Sequence, residues 1–99
     1  MRRLAGYIWI RSLLDKIESK HGVSVDEICQ VFENDPLYRL RERGRFQGED
    51  MYSASGQTDA GTYLVVFFIW KKNGDVLPVT AYQMSDKMKR SYAKIRPNK

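Results

Sequence analysis

Residues 63–82 read YLVVFFIWKKNGDVLPVTAY, two strand-like runs joined by a turn. Tyr63 to Trp70 is continuously apolar and rich in β-branched and aromatic side chains, the composition of a strand covered on both faces. Asn73-Gly74 follows Lys71 and Lys72, and that dipeptide favours the type I′ turn whose twist suits a two-stranded hairpin. Val76 to Tyr82 is then the returning strand. Pro78 lacks an amide hydrogen, which places that strand at a sheet edge or at a bulge.

Upstream of the hairpin, Gly56 to Gly61 reads as a polar turn and Met51 to Ser55 as the strand before it. From Leu37 the pattern has period two. Tyr38 and Leu40 point one way and Arg39, Arg41 and Arg43 the other, giving a half-buried strand with a cationic face, and Gly44 and Gly48 bracket the loop after it. Nearer the start, Ile10, Leu13, Leu14, Ile17 and His21 recur at helical spacing, and Gly22 ends that helix. Ser24 stands three residues before Glu27 in a capping box, so a second helix starts at about Val25. Its apolar stripe is Ile28, Val31 and Phe32, and Asn34-Asp35-Pro36 stops it. Tyr7 to Ile10 is short and β-prone and reads as a first strand. Downstream, Ser85 caps a helix over Asp86 to Ile95 whose buried stripe is Met84, Met88, Tyr92 and Ile95. The predicted fold is α+β: two N-terminal helices, a three- to four-stranded antiparallel sheet and a C-terminal helix, with helices against one side of the sheet.

The whole chain bounds the reading. Ninety-nine residues, 42% of them apolar, make a single domain over 1–99, with roughly 65% of the unfolded surface buried on folding. Cys29 is alone and His21 is the single histidine, so neither an internal disulfide nor a Cys/His zinc site is expected, and no cofactor is implied. The longest apolar run, Leu64 to Trp70, is far short of the twenty or so residues of a membrane helix, and no N-terminal stretch resembles a signal peptide. A cytoplasmic protein with no membrane contact is the expectation. Net charge is +5, and residues 51–99 hold eight basic against three acidic side chains while residues 1–50 balance at nine each. That asymmetry favours an acidic partner, either nucleic acid or an acidic protein.

Trp9, the run Lys16-Ile17, Lys20-His21-Gly22-Val23, Glu27 and Val31-Phe32 resemble the N-terminal half of the BrnT toxin family. Gly56-Gln57-Thr58, Gly61, Leu64-Val65-Val66, Gly74, Thr80-Ala81 and Tyr92 follow in the order of that family's sheet and last helix. The likeness spans roughly residues 8 to 95. It implies a RelE-like fold and a metal-independent ribonuclease that inhibits translation. The implied partners are RNA and a cognate BrnA-like antitoxin, with operator DNA reached only through the antitoxin. At four places where the family carries arginine, this chain has Met51, Gln57, Thr62 and Tyr82. The alternative is therefore a catalytically inactive module that binds RNA or the antitoxin.

Cleaving RNA without a metal needs a base for the 2′-hydroxyl, an acid for the leaving 5′-oxygen and cations near the phosphate oxygens. His21 titrates nearest neutrality by type, although its place before Gly22 also suits a helix-capping role. Of the adjacent carboxylates Glu49 and Asp50, at most one faces a site, and both also read as solvated loop acids. Tyr82 is either a donor to phosphate or a sheet-surface aromatic. Arg39, Arg41, Arg43 and, in the loop, Arg45 form a stripe suited to phosphates or to guarding a sheet edge. Lys87 and Arg90, with Lys94, mark one face of the last helix, either solvated or binding. Lys20 and Gln57 join the RNA-contacting set through the resemblance. Phe67, Phe68 and Trp70 read as core, with base stacking as the other reading.

Overall fold

In the computed structural model, which describes residues 4–46 and 48–95 apart from the side chains of residues 45 and 46, the chain runs β1 (Gly6–Tyr7), α1 (Arg11–His21), α2 (Val25–Glu33), β2 (Leu37–Phe46), β3 (Glu49–Gln57), β4 (Tyr63–Trp70), β5 (Asp75–Gln83) and α3 (Asp86–Ile95). The sheet order is β1-β5-β4-β3-β2. Five strands thus replace the expected three or four, and the sheet is mixed: β1 runs parallel to β5, while every other pairing is antiparallel. The first strand is Gly6–Tyr7 rather than Tyr7 to Ile10, because the chain turns into α1 after pairing with Asp75 and Val76.

Local chemistry explains the helix boundaries. Gly22 takes φ 65°, a region costly for residues with a Cβ, and its N–H donates to the Glu18 carbonyl at 2.9 Å, closing α1. In α2 the capping box forms in full: Glu27 N–H donates to Ser24 Oγ at 3.2 Å, and Ser24 N–H donates to Glu27 Oε1 at 3.0 Å. Ser85 Oγ likewise accepts from Met88 N–H at 3.2 Å at the start of α3.

The core lies between α1–α2 and one face of the sheet. Ile17, Ile28, Val31 and Phe32 from the helices meet Ala54, Leu64, Val66, Phe68, Trp70 and Ala81 from the strands. Each fully buried Val, Leu, Ile or Phe side chain here contributes about 1.5–3 kcal/mol, and each alanine less. The other face carries α3, which corrects the expectation that all helices share one side. Ala54 and Ser55 are consecutive on β3 and so point oppositely; Ala54 is in the core, whereas Ser55 lines a cleft with α3 residues. No residue of α3 is fully buried, and Ile95, expected in its buried stripe, is 47% exposed.

The hairpin after β4 is also of a different type. Gly74 N–H donates to the Lys71 carbonyl at 3.0 Å, and Gly74 has φ 98° while Asn73 does not take a positive φ. That is the pattern of a three-residue loop ending in a glycine, not of type I′, which needs positive φ at both central residues. Pro78 is accommodated by a bulge, since the register steps from Thr80 to Pro78 opposite Phe67 and Phe68. Gly44 lies inside β2 rather than bounding a loop, and β3 extends from Glu49 to Gln57.

Candidate nucleic-acid interface

The sheet face turned away from α1 and α2 gathers side chains from far-apart segments. Cross-strand register aligns Arg39 with Ser53, Ser53 with Phe67 and Phe67 with Thr80, while Val65 pairs with Tyr82. Arg41, two residues after Arg39 and at the bulge between Leu40 and Glu42, lies over the same row. Arg41 Nε donates to Ser53 Oγ at 3.0 Å, and the Ser53 side chain is fully buried. The Arg41 guanidinium carbon lies 5.6 Å from the centre of the Phe67 ring, within cation–π range. Phe67 in turn stacks on Tyr82 with centroids 6.0 Å apart and planes 29° apart. Tyr82 meets the His21 ring at 5.6 Å, where the last turn of α1 reaches β5.

The result is a continuous track over strands β2 to β5 that begins at a guanidinium, passes over two aromatic rings and ends at an imidazole. Phe67 and Tyr82 are partly exposed, and Arg41 and His21 exposed. Such a surface offers a cation for phosphate, rings for bases and proton-carrying groups.

Beside the track, the β2–β3 edge and α3 enclose a cleft of about 410 Å³. Leu37, Met84, Met88, Tyr92 and Ile95 form its apolar floor. Arg39, Arg41, Lys87 and Lys94 stand around it. Among the described residues no group of three or more His, Cys, Asp or Glu side chains is placed to hold a metal ion.

No family model matches the chain, and no curated protein matches it in sequence. Among solved structures, the crystal structure of the Brucella abortus ribonuclease toxin BrnT superposes with a TM-score of 0.60 at 14% identity, over 82% of this chain and 97% of that one. The chain has the BrnT fold.

On this BrnT fold the expected site residues divide sharply. His21, Tyr82 and Arg41 share the track, and Arg39 and Lys87 flank it in the cleft. Glu49 is elsewhere: both its oxygens accept from Lys71 Nζ, at 2.8 and 2.9 Å, at the far end of β3 and about 13 Å along the strand from Ser53. Asp50 accepts the Gly44 N–H at 2.9 Å and so braces the β2–β3 hairpin. Gln57 is spent on the β3–β4 turn, its Nε2 donating to the Gly61 carbonyl at 3.2 Å. Arg43 leaves the stripe, because the bulge before Glu42 breaks the alternation that aligns Arg39 with Arg41. The Arg45 side chain lies outside the described residues. Lys20 is exposed beside His21, and Arg90 is exposed on α3 but does not line the cleft.

Two members of the track differ from the sequence reading. Phe67, expected in the core, faces away from it, whereas Phe68 and Trp70 are buried. Ser53 gave no sequence signal beyond its place in a strand; the Arg–Ser juxtaposition depends on the β2–β3 register and its bulge.

Proposed function

We propose that this chain is the toxin of a toxin–antitoxin pair and acts as a metal-independent endoribonuclease that inhibits translation in the cytoplasm. One observation carries the reading: His21, Tyr82, Phe67 and Arg41, from four separate elements, follow one another in contact along the α3 side of the sheet, with Phe67 and Tyr82 partly exposed and Arg41 and His21 exposed. In this mechanism one of His21 and Tyr82 takes the 2′-hydroxyl proton as the 2′-oxygen attacks phosphorus. The other supplies the proton to the departing 5′-oxygen. Phe67 stacks a neighbouring base, and Arg41 neutralises a phosphate at the next step along the strand. The fold shared with a ribonuclease toxin supports the same class of activity. A BrnA-like antitoxin encoded nearby is the proposed partner, with operator DNA contacted only through it.

A specific observation favours a second reading, a module that binds RNA or the antitoxin without cutting. Glu49 is neutralised by Lys71 and Gln57 is committed to a turn, so one expected catalytic group and one expected RNA contact are spent on structure. Fixed cations missing from a transition-state site cost on the order of 100-fold in rate each. Incubating the purified chain with single-stranded RNA in EDTA distinguishes the two. Cleavage that falls on the order of 100-fold in His21→Ala and in Arg41→Ala supports the ribonuclease. Intact RNA at saturating binding assigns the chain to the binding module, and cleavage equal in all preparations overturns the site.

A further inference from the structure

The cleft beside α3 is not accounted for by the sheet-face track. Its floor is aliphatic and thioether in character with a single aromatic ring, Tyr92. Among the described residues four cations line it and no Asp or Glu does. The wall formed by α3 is amphipathic, yet no residue of α3 is fully buried and Ile95 is 47% exposed. An apolar stripe left half in water, rimmed by charge of one sign, is surface awaiting a cover.

We propose that this cleft docks an acidic amphipathic helix of a partner protein, laid along α3 with leucine-like side chains on the floor and carboxylates against the cationic rim. Single-sign charge on the rim selects carboxylates. Nucleic acid fits this floor poorly, because bases need flat rings to stack on and the floor offers one. Methionines at 84 and 88 adapt to inserted aliphatic side chains. The ten residues of α3 span about 15 Å, so a bound helix presents anchors at i, i+3, i+4 and i+7.

Arg41 belongs to both places: it lines the cleft, and its Nε is anchored on Ser53 under the track. A carboxylate seated in the cleft therefore competes with phosphate for the same guanidinium. The docking itself does not depend on the RNA reading; only the competition rests on it.

The probe is a fluorescein-labelled peptide of about 18 residues, long enough to be helical, with leucine at i, i+3, i+4 and i+7 and glutamate elsewhere. Controls are the scrambled peptide and oligoglutamate of equal length, all titrated against the full chain by anisotropy at about 150 mM salt. The amphipathic peptide binds about tenfold or more tightly than either control. Met88→Glu and Ile95→Glu each weaken it at least about tenfold while circular dichroism stays unchanged, and Lys87→Glu weakens it about threefold. Equal binding of a control, or unchanged binding in both floor variants, overturns the proposal. Loss of RNA binding rather than peptide binding in Ile95→Glu overturns it too, by giving the cleft to nucleic acid. Displacement of a bound single-stranded RNA oligonucleotide by the peptide reads the competition; a chain that binds no RNA removes that limb and leaves the peptide titration to decide docking.

Discussion

At the scale of single residues, Arg41 shows how a guanidinium differs from a simple positive charge. Its Nε is fixed by Ser53 while its carbon lies toward the Phe67 ring, and lysine reproduces neither the branched donor nor the flat face. Arg41→Lys therefore lowers affinity for single-stranded RNA by about fivefold, near 1 kcal/mol, without changing the melting temperature. Ser53→Ala produces a similar loss although it removes no charge, as read by fluorescence polarisation. Tyr7 presents a different case. Its hydroxyl is buried beside the Cys29 thiol and makes no hydrogen bond of normal geometry. Burial pushes both acids up, Tyr7 strongly, and the neighbouring Glu33 pushes in the same direction. Both are neutral when protonated, so below their free-chain values, about 9 for the Cys29 thiol and 10 for the Tyr7 phenol, neither adds a pH slope. At higher pH the unfolded chain releases protons that the folded chain keeps, and stability falls. Thermal melts from pH 7 to 10.5 show this decline, and Tyr7→Phe reduces it while raising stability near neutrality by up to about 1 kcal/mol.

At the scale of elements, the two sides of the sheet differ in what they contribute. Phe68 is fully buried under α1 and α2, against Phe32, whose ring lies 5.0 Å away edge-on. Phe68→Ala costs about 3–5 kcal/mol in denaturant unfolding. Met88→Ala, on a helix with no fully buried residue, costs less than about 1 kcal/mol in the same measurement. Element boundaries were largely legible in the sequence, and for a local reason. A left-handed glycine, a capping box or a serine N-cap satisfies backbone groups within four residues, so Gly22 marks the end of α1, and Ser24 and Ser85 the starts of α2 and α3, without help from the rest of the chain. The Gly6–Tyr7 strand was misplaced because two residues carry no period; its pairing comes from the distant Asp75 and Val76. The hairpin is legible in the sequence but its turn type is not, since one extra residue in the loop exchanges type I′ for a glycine-terminated turn with the same dipeptide.

At the scale of the whole molecule, the excess of basic residues in the second half acts together with the arginines of β2. If phosphate contacts dominate, RNA affinity falls steeply between about 50 and 200 mM salt, and the log–log slope drops by about one in Arg41→Ala. A salt-independent affinity in equilibrium binding assays contradicts that. The three helices and the four longer strands, the central place of β4 and the guanidinium groups on β2 are all written locally in the chain, because propensity, capping and alternation act between near neighbours. That Phe68 faces α1 and α2 while Phe67 faces the α3 side comes from packing alone. A continuously apolar strand has no polar partner in its alternation to mark which face is which, so the covering helices make that choice. The tertiary structure likewise decided that Glu49 pairs with Lys71, that α3 takes the opposite face, and that His21 and Arg41, twenty residues apart, end on one surface. Those relations depend on strand order and on bulges, which are settled by packing over the whole chain.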